Sequence, residues 1–132
     1  SAMADRLDQF FGVHATALRL RSERMGVIAS NIANAATPGY KARDLDFGAA
    51  LRDAAPDVRL SRTSAAHLSP TAEEAPMLAW RQPVQPSLDG NTVELATEQV
   101  QFAETALRYR STLGLLGGRI QSLTAALKGD QA

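Results

Sequence analysis

The chain has 132 residues, with 14 basic and 14 acidic side chains and no cysteine. Zero net charge removes the attraction that nucleic acid or an anionic membrane surface would need, and the lack of cysteine excludes disulfides and thiolate metal sites. One Trp, two Tyr and four Phe in a chain rich in alanine and leucine favour long helices over a large β-sandwich.

A first long helix is predicted from about residue 5 to residue 36. Its apolar residues recur at alternating spacings of four and three, which is the pattern of a heptad seam. We call these residues the first seam: Leu7, Phe11, Leu18, Met25, Ile28 and Ile32. His14 and Arg21 interrupt the seam. The residue before Pro38 is disfavoured in a helix, so the helix is expected to end near Ala36.

The middle of the chain, residues 37–91, holds all six prolines. Brief alternation of apolar and polar residues predicts short extended pieces at Leu45–Phe47 and Val58–Leu60, and Phe47–Ala55 is predicted to form one or two helical turns. Nothing in this segment suggests an independent core. Such a long, mostly irregular segment is typical of a functional region or of one that orders on binding.

A second long helix is predicted from about residue 92 to residue 128. Asn91 is expected to cap its start, with Glu94 as the capping-box partner, and Gly129 is expected to end it. Its apolar residues form the second seam: Leu95, Phe102, Tyr109, Leu113, Leu116, Ile120, Leu123 and Leu127.

These elements predict an all-α fold in a single domain, residues 1–132. The two long, heptad-patterned helices are expected to pair as an antiparallel helical hairpin or coiled coil, with the two seams facing each other. An extended middle segment with short strands joins them. Two helices alone leave apolar surface uncovered, so the chain is expected to need partners.

Three glycines, Gly114, Gly117 and Gly118, lie inside the second helix. Each costs a helix about 1 kcal/mol relative to alanine. They are interpreted either as a local weakness that packing tolerates or as a place where a neighbouring subunit approaches closely, and the sequence leaves both readings open.

No constellation of residues predicts catalysis. The two histidines, His14 and His67, lack partners at metal-ligand or catalytic spacing, and the adjacent acids Glu73 and Glu74 are interpreted as a solvated pair. No catalytic, cofactor-binding or metal-binding residue is therefore predicted, and no cofactor is expected.

The stretch SNIANAATPGY, residues 30–40, is the most informative one. Pro38 fixes φ at the second position of a turn and Gly39 permits the positive φ of the third. On heptad positions Asn31 flanks the first seam and Asn34 points away from it, so neither is expected to be needed for the hairpin. The two asparagines are interpreted either as caps of free helix-end carbonyls or as hydrogen-bonding groups for a neighbouring chain.

This stretch resembles the N-terminal motif of bacterial flagellar axial proteins, the subunits of rod and hook. The residues that carry the resemblance, and that are candidate assembly residues, are Asn31, Ala33, Asn34, Thr37, Pro38, Gly39 and Tyr40. Residues 39–47 and 85–93 resemble the proximal-rod members of that family, and the second stretch adds Asp89, Gly90 and Asn91 as assembly candidates. Residues 50–82 are not matched.

The resemblance implies a structural subunit of the proximal rod of the flagellar basal body, a tubular drive shaft assembled through the terminal helices. It implies export by the flagellar type III apparatus without a cleaved signal peptide and a location in the periplasmic rod region. Expected partners are copies of the chain, other rod subunits, the inner-membrane ring protein, a FliE-like adaptor and the export apparatus, but no nucleic acid and no membrane span. The alternatives are another flagellar axial subunit or a helical-hairpin adaptor of a secretion system.

Overall fold

Residues 1–54, 78–83 and 86–129 are described by a computed structural model of the chain. The elements are α1 (Ala2–Ala33), β1 (Arg43–Leu45), α2 (Phe47–Ala54), β2 (Leu78–Trp80) and α3 (Leu95–Gly129). The two long helices at the ends of the chain confirm the predicted all-α architecture. Within the described ranges, neither of them has the apolar length that crossing a bilayer needs.

The two long helices run antiparallel, as predicted. Asn31 near the end of α1 reaches Glu98 at the start of α3. Towards the other end, the guanidinium carbon of Arg119 lies 5.6 Å from the centre of the Phe10 ring. Contacts therefore advance along α1 as they retreat along α3, which is the arrangement of a helical hairpin.

Strands β1 and β2 form a short antiparallel sheet beside the hairpin. Arg43 pairs with Trp80 and Leu45 with Leu78. The extended piece predicted at Leu45–Phe47 is displaced by two residues, because Asp46 begins a helix: its carboxylate accepts a hydrogen bond from the backbone N–H of Ala49 (3.1 Å). The helical turns predicted after Phe47 are α2. The piece predicted at Val58–Leu60 lies outside the described residues.

A small apolar cluster holds α2 and β1 against α1. Leu20, Leu45 and Ala50 are buried together, and Phe47 and Leu51 pack on them. Each of the three segments contributes at least one side chain, so the cluster fixes the first half of the middle segment onto the N-terminal helix.

The second seam faces α1 only in part, since Tyr109, Leu116 and Leu123 are half-buried and the other five members are exposed. Leu113, Ile120 and Leu127 are 51%, 53% and 70% exposed, and Phe102 is exposed as well. The buried residues of α3 are instead Glu98 and Thr105. Both side chains hydrogen-bond to polar groups of α1. Because these polar groups occupy part of the contact, the exposed members of the second seam are turned towards solvent, namely Leu95, Phe102, Leu113, Ile120 and Leu127.

The first seam is also only partly covered. Ile28 is fully buried. The other members are half-buried: Leu7, Phe11, Leu18, Met25 and Ile32. The buried line of α1 passes through Ala17, Leu20, Ile28 and Asn31, because β1 and α2 cover one side of the helix and α3 covers another.

We expect Leu20→Ala to lower the free energy of unfolding by about 2–5 kcal/mol, because Leu20 is 2% exposed and its loss leaves a cavity. Urea denaturation of the dilute chain, followed by circular dichroism, measures this. Leu107→Ala is the matched control, since Leu107 is 65% exposed, and its effect should stay within about 0.5 kcal/mol. Equal losses for both variants would contradict the assignment of the core.

Candidate functional site at the joint of the terminal helices

The turn after α1 has the geometry that its sequence predicts. The backbone N–H of Tyr40 donates to the carbonyl of Thr37 (3.3 Å), which closes a four-residue turn. Gly39, at the third position of the turn, has φ of +74°. A residue with a side chain is strained there, so the prediction of a positive φ at Gly39 is confirmed.

Asn34 is a local cap of α1. Its side-chain amide donates to the carbonyl of Ser30 (2.8 Å), and its side-chain oxygen accepts a hydrogen bond from the hydroxyl of Thr37 (3.1 Å). All three residues lie within seven positions of one another. Of the two readings that the sequence left open, helix-end capping describes the contacts of Asn34 in the chain.

Asn31 is different, because it is completely buried. Its side-chain amide donates to the carbonyl of Arg43 (2.6 Å) and to Glu98 Oε2 (3.1 Å). Its side-chain oxygen accepts from the backbone N–H of Arg43 (3.1 Å) and from the hydroxyl of Tyr40 (3.4 Å). Asn31 therefore joins α1, β1 and α3, and the expectation that the hairpin does not need it is wrong.

Asn91 does not cap α3 as predicted, and α3 begins four residues later at Leu95. The side-chain amide of Asn91 instead donates to the carbonyls of Asn34 (3.0 Å), Ala35 (3.1 Å) and Thr37 (2.6 Å). These carbonyls lie at the end of α1, where helical partners run out. Asn91 thus caps the opposite helix, and its burial follows from that role.

The turn after α1 and the segment before α3 run side by side. The backbone N–H of Gly39 donates to the carbonyl of Asp89 (3.0 Å), and that of Thr92 donates to the carbonyl of Tyr40 (2.9 Å). Lys41 adds a bond from Nζ to the carbonyl of Gly90 (2.5 Å). The two stretches that carry the sequence resemblance therefore form one joint.

Asp89 shapes the loop that precedes α3. Its carboxylate accepts hydrogen bonds from the hydroxyl of Ser87 and from the backbone N–H of Asn91. These bonds, that from Ser87 first, lower the pKa of the exposed Asp89 carboxyl. Gly90 follows with φ of +76°, which again requires glycine.

Four charged side chains extend the joint from Asn31 across the sheet. Arg24 of α1 holds Asp44 of β1 by two bonds, Nε to Oδ1 (2.9 Å) and Nη2 to Oδ2 (3.0 Å). Arg81, just after β2, bonds to the same Asp44 oxygen Oδ2 (2.9 Å) and to Glu98. Glu98 also accepts a hydrogen bond from Asn31, so the network of ion pairs leads back to α1.

Arg24 carries this network to α3. Its Nη1 donates to the hydroxyl of Thr105 (3.3 Å) and its Nη2 to the side-chain oxygen of Gln101 (3.0 Å). Buried and half-buried polar groups cost free energy unless they are paired, and here each of these groups has its partner.

Two opposing effects act on the pKa of Asp44. Burial alone would raise the pKa of Asp44, but the hydrogen bonds and charges of Arg24 and Arg81 outweigh burial and lower it. The hydrogen bond to Asp44 is in turn the main reason that the pKa of Arg24 is raised.

Sequence reasoning brought together some of these residues and missed others. Asn31, Asn34, Thr37, Gly39, Tyr40, Asp89, Gly90 and Asn91 meet at the joint. Ala33 and Pro38 are exposed beside it. The missed residues are Arg24, Asp44, Arg81 and Glu98. Their one visible signal is the polar residues Glu98, Gln99 and Gln101, which lie between the seam residues Leu95 and Phe102.

Nothing at the joint indicates catalysis. In the part of the chain that the structure describes, no group of three or more His, Cys, Asp and Glu side chains is placed to hold a metal ion. The contacts of the joint instead fix the angle and register of α1 and α3.

Comparison with known proteins decides the family. The family model described as "Flagella basal body rod protein" matches residues 11–41, which include Asn31 and the turn. The flagellar basal body rod protein FlgB of Cereibacter sphaeroides is 54% identical over 120 residues, which are 90% of this chain and 94% of that protein. The chain belongs to the flagellar basal body rod protein family. This membership confirms the resemblance found in the sequence.

Other members of the family are similar over almost the whole chain. FlgB of Escherichia coli K12 is 44% identical over 139 residues, 96% of this chain and 98% of that protein. FlgB of Aeromonas hydrophila is 41% identical over 132 residues, 98% of this chain and 100% of that protein.

Asn31→Ala should destabilise the chain more than Asn34→Ala. The first change takes the Asn31 partner from the fully buried Glu98 carboxylate and from the backbone N–H and C=O of Arg43, at about 1–3 kcal/mol for a buried group. The second removes a local cap worth on the order of 1 kcal/mol. Urea denaturation of the two variants in parallel measures the difference. Equal losses would mean that Asn31 is only another cap.

The stabilisation from Asp44 should depend on pH in a defined direction. Because its native pKa lies below the ordinary value of 3.8, folding favours the ionised form. The contribution is complete above that value and is lost as the pH falls through the native pKa. We therefore expect wild type to exceed Asp44→Asn in unfolding free energy by a constant amount from pH 7 to about pH 5, and by less as the pH falls further. A difference unchanged at pH 2 would rule out the ion pair as its source.

Proposed function

We propose that this chain is a structural subunit of the proximal rod of the bacterial flagellar basal body, assembled through its terminal helices into a tubular shaft. The observation that carries the proposal is the joint itself, because the family match covers residues 11–41 and the joint orders both helix ends. The proposal includes no catalytic step.

The exposed members of the second seam form the surface through which we expect assembly to occur. Leu95, Phe102, Leu113, Ile120 and Leu127 are exposed. Their spacings of seven and eleven residues correspond to whole numbers of helical turns, so they share one face of α3. A long apolar line in contact with water is typical of a protein–protein interface, and packed neighbours in a rod would cover it.

The three glycines of α3 support the same surface. A Cβ added at Gly114, Gly117 or Gly118 would meet nothing within 4 Å among the residues that the structure describes. Packing among the described residues therefore does not require these glycines, although each weakens the helix by about 1 kcal/mol. Close approach of a neighbouring subunit would explain why glycine occupies these three positions. The second reading, a weakness without function, predicts instead that alanine is harmless there.

The finer parts of the proposal follow from the family. The subunit would be exported by the flagellar type III apparatus and would lie in the periplasmic rod region. Its neighbours would be copies of itself, other rod subunits, the inner-membrane ring protein and a FliE-like adaptor. The alternative of a helical-hairpin adaptor would instead need a free subunit that binds one partner stoichiometrically and never enters a tube.

Replacing Leu113 and Ile120 together by serine should abolish rod assembly and swimming in cells that lack the chromosomal copy. The two side chains are already exposed, so the free energy of unfolding of the isolated chain should change by less than about 1 kcal/mol. Electron microscopy of basal bodies and a soft-agar motility assay measure the outcome.

The control for that experiment is Leu107→Ser. Leu107 is 65% exposed, but it lies about 120° around α3 from the line of Leu113 and Ile120 at 3.6 residues per turn. It should leave assembly intact. Normal rods from the Leu113→Ser/Ile120→Ser chain would refute assembly through the second seam.

A further inference from the structure

The two-stranded sheet carries exposed apolar side chains beside an arginine. Arg43 of β1 pairs with Trp80 of β2. Cross-strand partners lie on the same face of a sheet, as do residues two positions apart along a strand, so Arg43, Leu78 and Trp80 share one face. Leu78 and Trp80 are 45% and 60% exposed, and the guanidinium carbon of Arg43 lies 4.7 Å from the centre of the Trp80 ring. We call these three residues the sheet patch.

The arginine of the sheet patch has no carboxylate partner within residues 1–54, 78–83 and 86–129. In these ranges Arg19, Arg24, Arg81 and Arg108 form ion pairs, but Arg43 forms none. Stacking on an indole ring leaves the N–H groups at the edge of the guanidinium plane able to donate, and their fork matches the two oxygens of a carboxylate. The sheet patch therefore complements a group that combines an apolar side chain with a carboxylate.

The loop before α3 presents this combination. Leu88 is fully exposed, and Asp89 follows it. The loop is held by a bond from the backbone N–H of Gly90 to the carbonyl of Ser87 (3.4 Å). Oδ1 of Asp89 accepts from the hydroxyl of Ser87 and from the backbone N–H of Asn91. Both side-chain bonds end on Oδ1, so Oδ2 can accept a further donor. We call Leu88 and Asp89 the loop tip.

Within one subunit the loop tip and the sheet patch do not meet. The backbone N–H of Gly39 donates to the carbonyl of Asp89 (3.0 Å), which ties the loop to the turn after α1. The positive charge that acts on Asp89 is that of Lys41, whose Nζ donates to the carbonyl of Gly90 and not to the carboxylate. A carboxylate beside an exposed leucine and an arginine beside an exposed tryptophan thus lie apart on the same molecule.

We propose that the loop tip of one copy of this chain binds the sheet patch of a second copy. Leu88 packs on Leu78 and Trp80, and the carboxylate of Asp89 accepts hydrogen bonds from the guanidinium of Arg43. This inference rests on the proposed assembly into a rod. Because every copy carries both complementary surfaces, copies of the chain are sufficient to form the contact, and each copy can bind one neighbour through its tip and another through its patch.

Disulfide trapping tests the contact directly, because the chain has no cysteine of its own. Chains with Leu88→Cys and Leu78→Cys, distinguished by tags of different length, are mixed in equal amounts and oxidised. The disulfide between them should form at least about tenfold faster than one between Leu107→Cys and Leu78→Cys, because association raises the effective concentration of the two thiols. Leu107 is exposed but lies on α3, outside both surfaces. Equal rates in the two mixtures would overturn the proposal.

Sedimentation velocity of the purified chain tests the ion pair through the dissociation constant for self-association. Arg43→Gln and Asp89→Asn should each raise that constant about tenfold. Their combination should raise it no further, because both changes remove the same pair. Asp89→Asn keeps an oxygen that accepts from Ser87 and Asn91, so the loop is retained. Arg110→Gln, at an exposed arginine of α3, should leave the constant unchanged. A combined variant weaker than either single variant would overturn the ion pair.

Three further outcomes would also decide against this contact. If Arg43→Gln lowered the free energy of unfolding and left self-association unchanged, the sheet patch would serve its own chain. If Leu88→Cys formed a disulfide with a different protein of the basal body and none with Leu78→Cys, the partner would not be a second copy. A wild-type chain that remains monomeric at every concentration would overturn this inference as well. The proposed route of assembly would fail separately, if Leu113→Ser/Ile120→Ser left rods intact in cells.

Discussion

The buried amide of Asn31 is the contact on which the joint between the terminal helices depends. An amide has two donors and one acceptor oxygen, and Asn31 uses them on Arg43 of β1, on Tyr40 of the turn and on Glu98 of α3. Glu98 is a buried carboxylate, so it also needs a cation, which Arg81 supplies. One residue of α1 thereby determines which side of α3 faces it and where the chain must return after β2.

The polar joint has a direct consequence for the surface of the subunit. Because Glu98 and Thr105 occupy the contact with α1, the apolar line through Leu113 and Ile120 is turned outwards. A hairpin in which leucines of both helices packed together would bury that line and would leave little apolar surface for contacts with neighbouring subunits. Within the described ranges the apolar core is a small cluster around Leu20, and the exposed apolar surface of α3 remains available for contacts between subunits.

The parts of the fold that follow from nearby residues were predictable, and the parts that join distant residues were not. Heptad spacing locates α1 and α3, and the fixed φ of Pro38 with the positive φ of Gly39 locates the turn. The joint escapes such rules because Asn31 and Glu98 are 67 positions apart and Asn91 and Thr37 are 54 apart. Asn91 shows why the predicted cap was wrong. Its place in the sequence, just before the second helix, predicts a cap of α3, but in the folded chain its amide lies against the end of α1 and caps that helix.

A joint built from polar groups also fixes the register of the helices, which an apolar seam does poorly. A leucine seam repeats every seven residues, so a shift of one heptad restores most of its contacts. The pairs from Asn31 to Glu98 and from Arg24 to Thr105 are themselves one heptad apart on both helices, so they do not fix the register alone. The contact without an equivalent is that of Asn91, whose amide donates to three carbonyls at the end of α1. Neither residue seven positions from Asn91 has an amide, so a shift of one heptad would leave these carbonyls without that partner. The second seam is therefore presented at one defined height relative to the turn, which a tube of repeated subunits requires.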